Sequence, residues 1–352
     1  MALAAGLVMM GGALSAPSAV NAAEGGKRAE KSAGSFYLKE GDRVVFYGDS
    51  ITDQRLYTTY IETYCRARFP KKHFTFVHSG WGGDRVGGGG GGPIDVRLRR
   101  DVLPYKPTVV TICLGMNDGG YRPFDQKLFD TYVQGFRHIL DTLLKELPGV
   151  RITLLTAPAY DDVTRTAGFL GGYNATLIAY GEAVPALGHE YGLVVADTNA
   201  PLVAALARAH TANADLSSHI INDRVHPGPG GHVVMAAAVL KAWNAPDVVS
   251  EIDLDAANEK IVRSSNTHVT LQRPATDSHT VTFTHLDNAL PWPLDRDPAG
   301  NPDTGLVLAV TDEETALNRF TLKVTGLTAA KYTLKVDGKE ITTLTKDELE
   351  QG

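Results

Sequence analysis

Five short apolar runs alternate with longer amphipathic stretches between Arg43 and Pro246, and this alternation restricts the fold of the 352-residue chain more than any other feature. The pattern is typical of repeated βα units, which build a mainly parallel sheet covered by helices on both faces. The predicted strands are Arg43–Tyr47, Phe74–His78, Thr108–Leu114, Arg151–Thr156 and Leu193–Asp197. The predicted helices are Tyr57–Phe69, Phe124–Leu147, Tyr173–Tyr191, Ala200–Ala209 and Gly230–Trp243. The sequence therefore predicts a three-layer α/β/α sandwich with a five-stranded parallel sheet.

A β-rich region is predicted after Pro246, where threonine and valine alternate in several short runs. Its predicted strands are Thr267–Leu271, Thr280–Thr284, Phe320–Val324 and Tyr332–Val336. Asp337-Gly338 is typical of a two-residue hairpin turn. Thr345 to Glu348 form a capping box, which predicts a helix at the end of the chain. Because Gly352 follows so closely, we expect the chain to be a fragment of a longer protein.

These features divide the chain into four segments: a signal peptide at 1–22, a linker at 23–36, an α/β domain at 37–246 and a β-rich accessory module at 247–352. Small and apolar residues up to Val20 and a small-residue cleavage site predict secretion or periplasmic export, although no basic residue precedes this segment. The alternative is a membrane anchor. No later run is long enough to span a bilayer. Six glycines at 87–92 predict a mobile loop.

Charge and cysteine content exclude several classes of protein. The formal net charge of -6 gives no general basic surface, which argues against a nucleic-acid partner. Two cysteines exclude a disulfide-rich scaffold, and without a CxxC pair they do not form a thiolate zinc site. Whether Cys65 and Cys113 pair, and which oligomer the chain forms, the sequence leaves open.

Ser50 lies just beyond the first predicted strand, where ligands bind in open α/β sheets. A serine at this position is also a common helix cap. Asp223 precedes His226 by three residues, so its carboxylate can accept the Nδ1–H of the imidazole and leave Nε2 free to take a hydroxyl proton. The alternative for His226 is a hydrogen-bonded residue that caps the following helix. Together the three residues predict a nucleophilic site without a cofactor or metal.

Two further segments follow predicted strands at the same edge of the sheet. Gly83 belongs to a glycine-rich turn with Gly80 and Gly82, and Asn117 follows the third strand. A glycine N–H and an asparagine amide are neutral donors that can stabilise a developing oxyanion. An ordinary turn glycine and an Asx turn are the alternatives.

The ordered segments GDSIT (48–52), GGD (82–84), GMND (115–118) and DRVH (223–226) resemble the four blocks of the SGNH (GDSL) hydrolase family. The resemblance covers about residues 40 to 246. It implies a flavodoxin-like sandwich with Ser50 as nucleophile, His226 as general base and acid, and Asp223 orienting the histidine. It also implies an oxyanion hole made by the backbone N–H groups of Ser50 and Gly83 and the side chain of Asn117. His78-Ser79 departs from the family, which often has an asparagine here.

The predicted function is a secreted serine esterase that removes small acyl groups, such as acetyl, from a carbohydrate through an acyl-enzyme. The substrate would be a small-molecule or polysaccharide ester. The alternatives are a lipase or lysophospholipase-like enzyme acting on longer acyl chains and a non-catalytic binding module that retains the motif. Aromatic residues able to stack on a sugar, or to pack locally, are Trp81, Tyr121, Tyr160 and Trp292.

Overall fold

The structure is a computed structural model that describes residues 35–272, 280–296 and 300–352 and the backbone of strand β1 (Ala5–Gly11). The chain forms two compact units. The first, the α/β unit, comprises Ser35–Ala245 and Trp292–Leu317. The second, the β-rich unit, comprises Pro246–Pro291 and Asn318–Gly352 together with β1.

A five-stranded parallel sheet in the order β3-β2-β6-β7-β8 forms the middle layer of the α/β unit. The strands of the unit are β2 (Arg43–Gly48), β3 (Thr75–Gly80), β4 (Gly88–Gly89), β5 (Gly92–Pro93), β6 (Val109–Cys113), β7 (Arg151–Leu155) and β8 (Val194–Ala196). The sandwich is confirmed, because each of the five predicted strands overlaps a strand of this sheet. The sheet brings the carboxyl ends of β2, β3 and β6 side by side, since Gly48 pairs with both Gly80 and Cys113.

Helices cover both faces of the sheet. Those of the unit up to residue 245 are α1 (Ser50–Asp53), α2 (Leu56–Arg68), α3 (Ile94–Asp101), α4 (Gln126–Glu146), α5 (Gly172–Gly181), α6 (Ala183–Tyr191), α7 (Ala200–Ala212), α8 (Ala214–Ser217) and α9 (Pro229–Ala242). The single helix predicted over Tyr173–Tyr191 is wrong, because the structure has α5 and α6 there. Pro185 has no N–H to donate to the carbonyl of Gly181, so the helical hydrogen-bond pattern is interrupted.

Two apolar cores follow from the alternation of side chains along the buried strands. Val44 and Phe46 on β2 pack in the core with α2 and α9. Val45 and Tyr47, which point to the opposite face, pack in the core with α3 and α4. A parallel strand buried on both faces is therefore a continuous apolar run, as β2 is from Val44 to Tyr47. Cys65 and Cys113 are both buried and free, so no disulfide joins them.

The β-rich unit contains two sheets. Its elements after β1 are β9 (Val248–Asp255), β10 (Lys260–Ser265), β11 (Thr267–Gln272), β12 (Thr282–Asp287), β13 (Arg319–Thr325), β14 (Lys331–Val336), β15 (Lys339–Thr345) and α11 (Lys346–Gln351). The sheet orders are β11-β12-β1-β14-β15 and β10-β9-β13. Asp337 and Gly338, both with positive φ, connect β14 to β15 as predicted. The Thr345–Glu348 capping box is also present at the start of α11.

Residues 292–317 do not lie in the unit to which the sequence assigned them. The sequence placed all of 247–352 in one β-rich module, but the segment Trp292–Leu317, with α10 (Pro302–Val310), belongs to the α/β unit. The reason is apolar packing: Val307 on α10 is fully buried in a core cluster with Leu202 on α7.

Polar contacts hold the same segment in place. The indole N–H of Trp292 donates to the carbonyl oxygen of Tyr60 at 2.9 Å. The carboxylate of Asp303 accepts the backbone N–H of Gly230 at 2.9 Å, near the start of α9. A stretch distant in the sequence thus supports two helices of the α/β unit.

The glycine run at 87–92, for which the sequence predicts a mobile loop, contains most of the short antiparallel pair β4–β5. Gly88 pairs with Pro93 and Gly89 with Gly92. The predicted signal peptide falls partly on β1, and the rest of it and most of the predicted linker lie outside the described residues, so cleavage stays a prediction. None of the helices in the described ranges has the length and apolar character needed to cross a membrane.

Candidate active site

Ser50 is the first residue of the short helix α1, immediately beyond β2. The carboxylate of Asp49 accepts the N–H of Ile51 at 3.0 Å and so caps this helix. Glycine is required at position 48, because a Cβ there would collide with the side chain of Thr52 and the carbonyl of Cys113. Since the first N–H groups of a helix have no acceptor within the helix, the N–H of Ser50 is available to a ligand.

The loop before α9 carries Asp223 and His226. Asp223 Oδ1 accepts the backbone N–H groups of Val225 at 2.9 Å and His226 at 2.8 Å. Arg224 between them has φ of 73°, which closes the turn tightly. Asp223 Oδ2 lies 2.6 Å from His226 Nδ1, and His226 Nε2 lies 2.8 Å from Ser50 Oγ. The structure thus brings the three residues into one hydrogen-bonded chain.

The partners of the imidazole determine where its proton lies. A carboxylate has no hydrogen to donate, so Nδ1 of His226 carries the N–H and donates it to Asp223. Nε2 then holds a lone pair that accepts the hydroxyl hydrogen of Ser50. Burial by itself raises the pKa of Asp223, but the hydrogen bonds from the backbone and ring of His226 outweigh it, and the pKa of this carboxyl lies below its ordinary value. Asp223 is therefore ionised at neutral pH.

Asn117 lies beyond β6, and its side chain is fixed at both ends. Its Nδ2 donates one hydrogen to the backbone carbonyl of Asp84 at 2.9 Å. Its Oδ1 accepts the hydroxyl hydrogen of Tyr121 at 2.9 Å. These contacts set the orientation of the amide and leave the second Nδ2 hydrogen for another acceptor. Gly83, next to Asp84, has φ of +75° and is exposed.

The loop that carries Gly83 is held by a buried ion pair. Arg97 on α3 is fully buried, and its Nε donates to the carboxylate of Asp84. Its Nη2 donates to the carbonyl of Ser79 at 2.9 Å and lies 3.4 Å from that of Gly48. One guanidinium therefore connects the ends of β2 and β3 to the loop, and Asp84 connects that loop to Asn117.

A second set of contacts connects α1 to the loop that carries Asp223 and His226. Gln54, just after α1, donates from Nε2 to the carbonyl of Pro227 at 3.2 Å. Its Oε1 accepts from Nε2 of His232 at 3.1 Å, while Nδ1 of His232 accepts the N–H of Tyr57 at 3.2 Å. Burial, assisted by the positive charge of protonated His226, lowers the pKa of His232 to about 3. His232 is thus neutral, and it connects α9 to Gln54 and to the start of α2.

Two carboxyl groups beside the site are buried. Burial, together with the neighbouring carboxylates of Asp118 and Asp84, raises the pKa of Asp49 to about 7. Burial also raises the pKa of Asp118 to about 6, although its Oδ1 accepts the N–H of Val86 at 3.0 Å. The buried surroundings of Asp49 and Asp118 therefore disfavour the ionised form of both carboxyl groups.

The four aromatic candidates differ in exposure. Trp81 and Tyr121 are 42% and 43% exposed, and Tyr160 is partly exposed. Trp292 is only 2% exposed and packs edge-on against Tyr64, so it is a core residue and not a sugar-stacking one. Within the ranges that the structure describes, no group of three or more histidine, cysteine, aspartate or glutamate side chains is placed to hold a metal ion.

Comparison with known proteins identifies the family. A family model described as GDSL-like lipase/acylhydrolase matches residues 46–234, which contain all five site residues. The chain belongs to this family. The SGNH (GDSL) resemblance is therefore confirmed, and this GDSL-family protein is a carboxylic ester hydrolase.

Two individual proteins are similar to this GDSL-family hydrolase. An acetylxylan esterase from Geobacillus stearothermophilus is 26% identical over 223 residues, or 58% of this chain and 94% of that protein. The solved structure of a gut microbial diltiazem-metabolizing enzyme is 29% identical, with a TM-score of 0.74, covering 89% of this chain and 72% of that one.

Several residues that support the site were not singled out by the sequence. Asp84 belongs to the GGD segment (82–84), but the sequence suggested no role for it. Arg97 lies in a run of charged residues typical of a solvated helix face. Gln54 and His232 are separated by 178 positions. Only for Asp84 did a motif offer a signal, because the other contacts depend on long-range packing.

Proposed function

We propose that this hydrolase is a serine esterase that acts through an acyl-enzyme, with Ser50 as nucleophile. The observation that carries the proposal is the continuous hydrogen-bonded chain from Ser50 Oγ through His226 to Asp223, with distances of 2.8 Å and 2.6 Å. Such a chain lets a weak alcohol nucleophile lose its proton as it attacks, because a neutral imidazole already accepts that proton's hydrogen bond.

In the first half-reaction Ser50 Oγ attacks the acyl carbon of the ester, and its proton moves to Nε2 of His226. The carbonyl oxygen becomes an oxyanion, which the N–H groups of Ser50 and Gly83 and the free Nδ2 hydrogen of Asn117 stabilise. Asp223 stabilises the imidazolium without taking its proton. His226 then protonates the leaving alcohol as the tetrahedral intermediate collapses to the acyl-enzyme.

In the second half-reaction water attacks the acyl-enzyme. Nε2 of His226 accepts a proton from that water, and the same donors stabilise the second oxyanion. Collapse of this intermediate breaks the bond to Ser50 Oγ, which takes back the proton from His226. The products are a free carboxylic acid, an alcohol and the original enzyme, so no cofactor or metal is consumed.

We further propose that the substrate is an O-acetyl group on a carbohydrate. The similarity to an acetylxylan esterase supports this substrate class. Trp81 and Tyr121 offer exposed ring surface for a sugar, and Tyr121 contacts Asn117 directly. Export of the chain is part of the same proposal, because a polymeric carbohydrate substrate lies outside the cell. The β-rich unit would then serve a polymer rather than the chemistry.

Ester chain length and Ser50→Ala together test the proposal. The wild-type enzyme should hydrolyse two-carbon esters faster than twelve-carbon esters and release acetate from acetylated xylooligosaccharides. Ser50→Ala should lose roughly 10^4-fold or more in turnover while keeping its circular dichroism spectrum. Retention of a tenth of wild-type turnover by this variant would exclude Ser50 as nucleophile. A preference for long acyl chains would favour the lipase alternative.

A further inference from the structure

The six glycines at 87–92 pack against the loop that carries Gly83. Gly89 and Gly90 approach so closely that a Cβ on either would collide with the carbonyl oxygen of Gly83 or of Gly82, respectively. A Cβ at Gly87, in contrast, would meet nothing within 4 Å. The requirement for glycine is therefore local to part of the run, and at Gly89 and Gly90 it comes from contact with backbone carbonyl oxygens.

The contact at Gly90 falls on one particular peptide group. The carbonyl oxygen of Gly82 and the N–H of Gly83 belong to the same planar trans peptide and point in opposite directions. Gly90 thus contacts the carbonyl side of this peptide, and the Gly83 N–H points away from the opposite side. Any group that displaced the Gly82 oxygen would rotate that N–H by the same angle.

A hydrogen bond adds to this packing. The N–H of Gly91 donates to Oδ1 of Asp84 at 3.0 Å, and Arg100 donates to the carbonyl of Gly91 at 3.1 Å. Asp84 also pairs with buried Arg97 and accepts the Asn117 amide. The glycine run is thus connected to both proposed oxyanion donors outside α1.

We propose that Gly89, Gly90 and Gly91 form a positioning platform for the oxyanion hole, in which Gly90 fixes the direction of the Gly83 N–H through the Gly82 carbonyl. This inference rests on the proposed function. Gly90 is a positioning residue, since it acts through the peptide of Gly82 and Gly83. The preorganised direction of a donor matters because it stabilises charge that develops only in the transition state.

Gly90→Ala tests the platform, and Gly87→Ala is its matched control in the same run. We expect Gly90→Ala to lower kcat for a two-carbon ester on the order of 10- to 100-fold with KM within about twofold of wild type. The pH dependence of its remaining activity should match wild type, because Ser50 lies on α1 and Asp223 and His226 lie on the loop before α9. Gly87→Ala should keep wild-type kcat.

Several outcomes would overturn the platform. The proposal is wrong if Gly90→Ala has the same kcat as Gly87→Ala, or if Gly90→Ala changes KM alone. Gly89→Ala, which meets the next carbonyl of the loop, is the second variant. If both substitutions prevent folding while Gly87→Ala folds, the run serves folding and the inference is wrong. Loss of activity in Ser50→Ala alongside unchanged Gly90→Ala would reject the platform and leave the proposed function standing.

Discussion

The hydroxyl of Tyr121 donates to Oδ1 of Asn117 across 2.9 Å, while Nδ2 of the same amide donates to Asp84. Tyr121 adopts φ of 56°, an uncommon conformation for a residue with a side chain. The tyrosine therefore fixes which end of the Asn117 amide faces the reacting oxygen. This relationship makes Tyr121 a candidate positioning residue for the oxyanion hole.

Tyr121→Phe should lower kcat roughly 5- to 10-fold with little change in KM, because it removes one neutral hydrogen bond and keeps the ring. Tyr160→Phe, a neighbouring ring without this contact, is the control.

Asn117→Ala should lower kcat by roughly 10^2 to 10^3. In an Asn117→Ala background, Tyr121→Phe should have no further effect, and an additive loss would show that Tyr121 acts by another route.

Asp223→Asn should reduce turnover by about 10^4 while leaving KM nearly unchanged. The asparagine keeps the shape of the side chain, but an amide NH₂ in place of Oδ2 repels the Nδ1–H of His226 and favours the other tautomer. Steady-state kinetics on a small acetyl ester measure the effect, and circular dichroism checks the fold. An effect on KM alone would contradict the orienting role of Asp223.

Activity should rise from acidic to neutral pH, because only a neutral imidazole accepts the hydroxyl hydrogen of Ser50. Asp223 does not limit this rise, since the pKa of its carboxyl lies below the ordinary value and it is already ionised. Values of kcat/KM from about pH 4 to pH 9 measure the profile. EDTA should change nothing, and loss of turnover that zinc restores would indicate a metal-dependent mechanism.

Asp49→Asn should change the pH dependence of folding stability. The pKa of Asp49 is about 7 in the folded chain against an ordinary 3.8, so the folded state binds this proton more tightly than the unfolded state. The stability due to Asp49 is thus fully present below about pH 4 and is lost as the pH rises towards 7.

The substitution keeps a capping side chain and removes the ionisation. We expect Asp49→Asn to raise the free energy of unfolding at about pH 8 relative to wild type, on the order of 1–4 kcal/mol, and by less at about pH 5. Denaturant unfolding measures this difference, and exposed Asp53→Asn on the same helix is the control. A larger gain at the lower pH would contradict the sign of the effect.

Trp292→Ala should destabilise the α/β unit by about 3–5 kcal/mol, because it empties a fully packed site and breaks the hydrogen bond to Tyr60. Exposed Leu290→Ala, two positions earlier, should have little effect. Thermal and denaturant unfolding measure both variants. Equal stability of the two would place residues 292–317 outside the structural core of the unit.

Residues 292–317 also determine which C-terminal deletion leaves the α/β unit intact. Deletion of residues 248–352 would remove the predicted accessory module as a contiguous segment. It would also remove Trp292 and Asp303, and Asp303 is the acceptor for the N–H of Gly230 near the start of α9. We expect that variant to lose small-ester activity through misfolding of the α/β unit. Small-ester turnover close to wild type after this deletion would show that the segment is dispensable.

The sequence by itself determined the sheet, the family and the residues of the candidate site. Buried parallel strands are short continuous apolar runs. Each candidate site residue lies in a local motif that can be recognised without knowing which residues it contacts in the fold; these residues are Ser50, Gly83, Asn117, Asp223 and His226. The hairpin at Asp337-Gly338 and the Thr345 capping box were predictable for the same reason. Their physical determinants lie within a few residues of one another.

Only the tertiary structure decided how the site is held and where its unit ends. Composition predicted a mobile loop at the glycine run, because glycine in an isolated sequence signifies flexibility, whereas here it permits backbone contact with Gly82. Arg97 acts through partners on β2, β3 and the loop of Asp84, and Trp292 packs against a helix 232 residues earlier. Such contacts depend on which surfaces meet after the chain folds, and local patterns of charge, apolarity or turn propensity do not specify that.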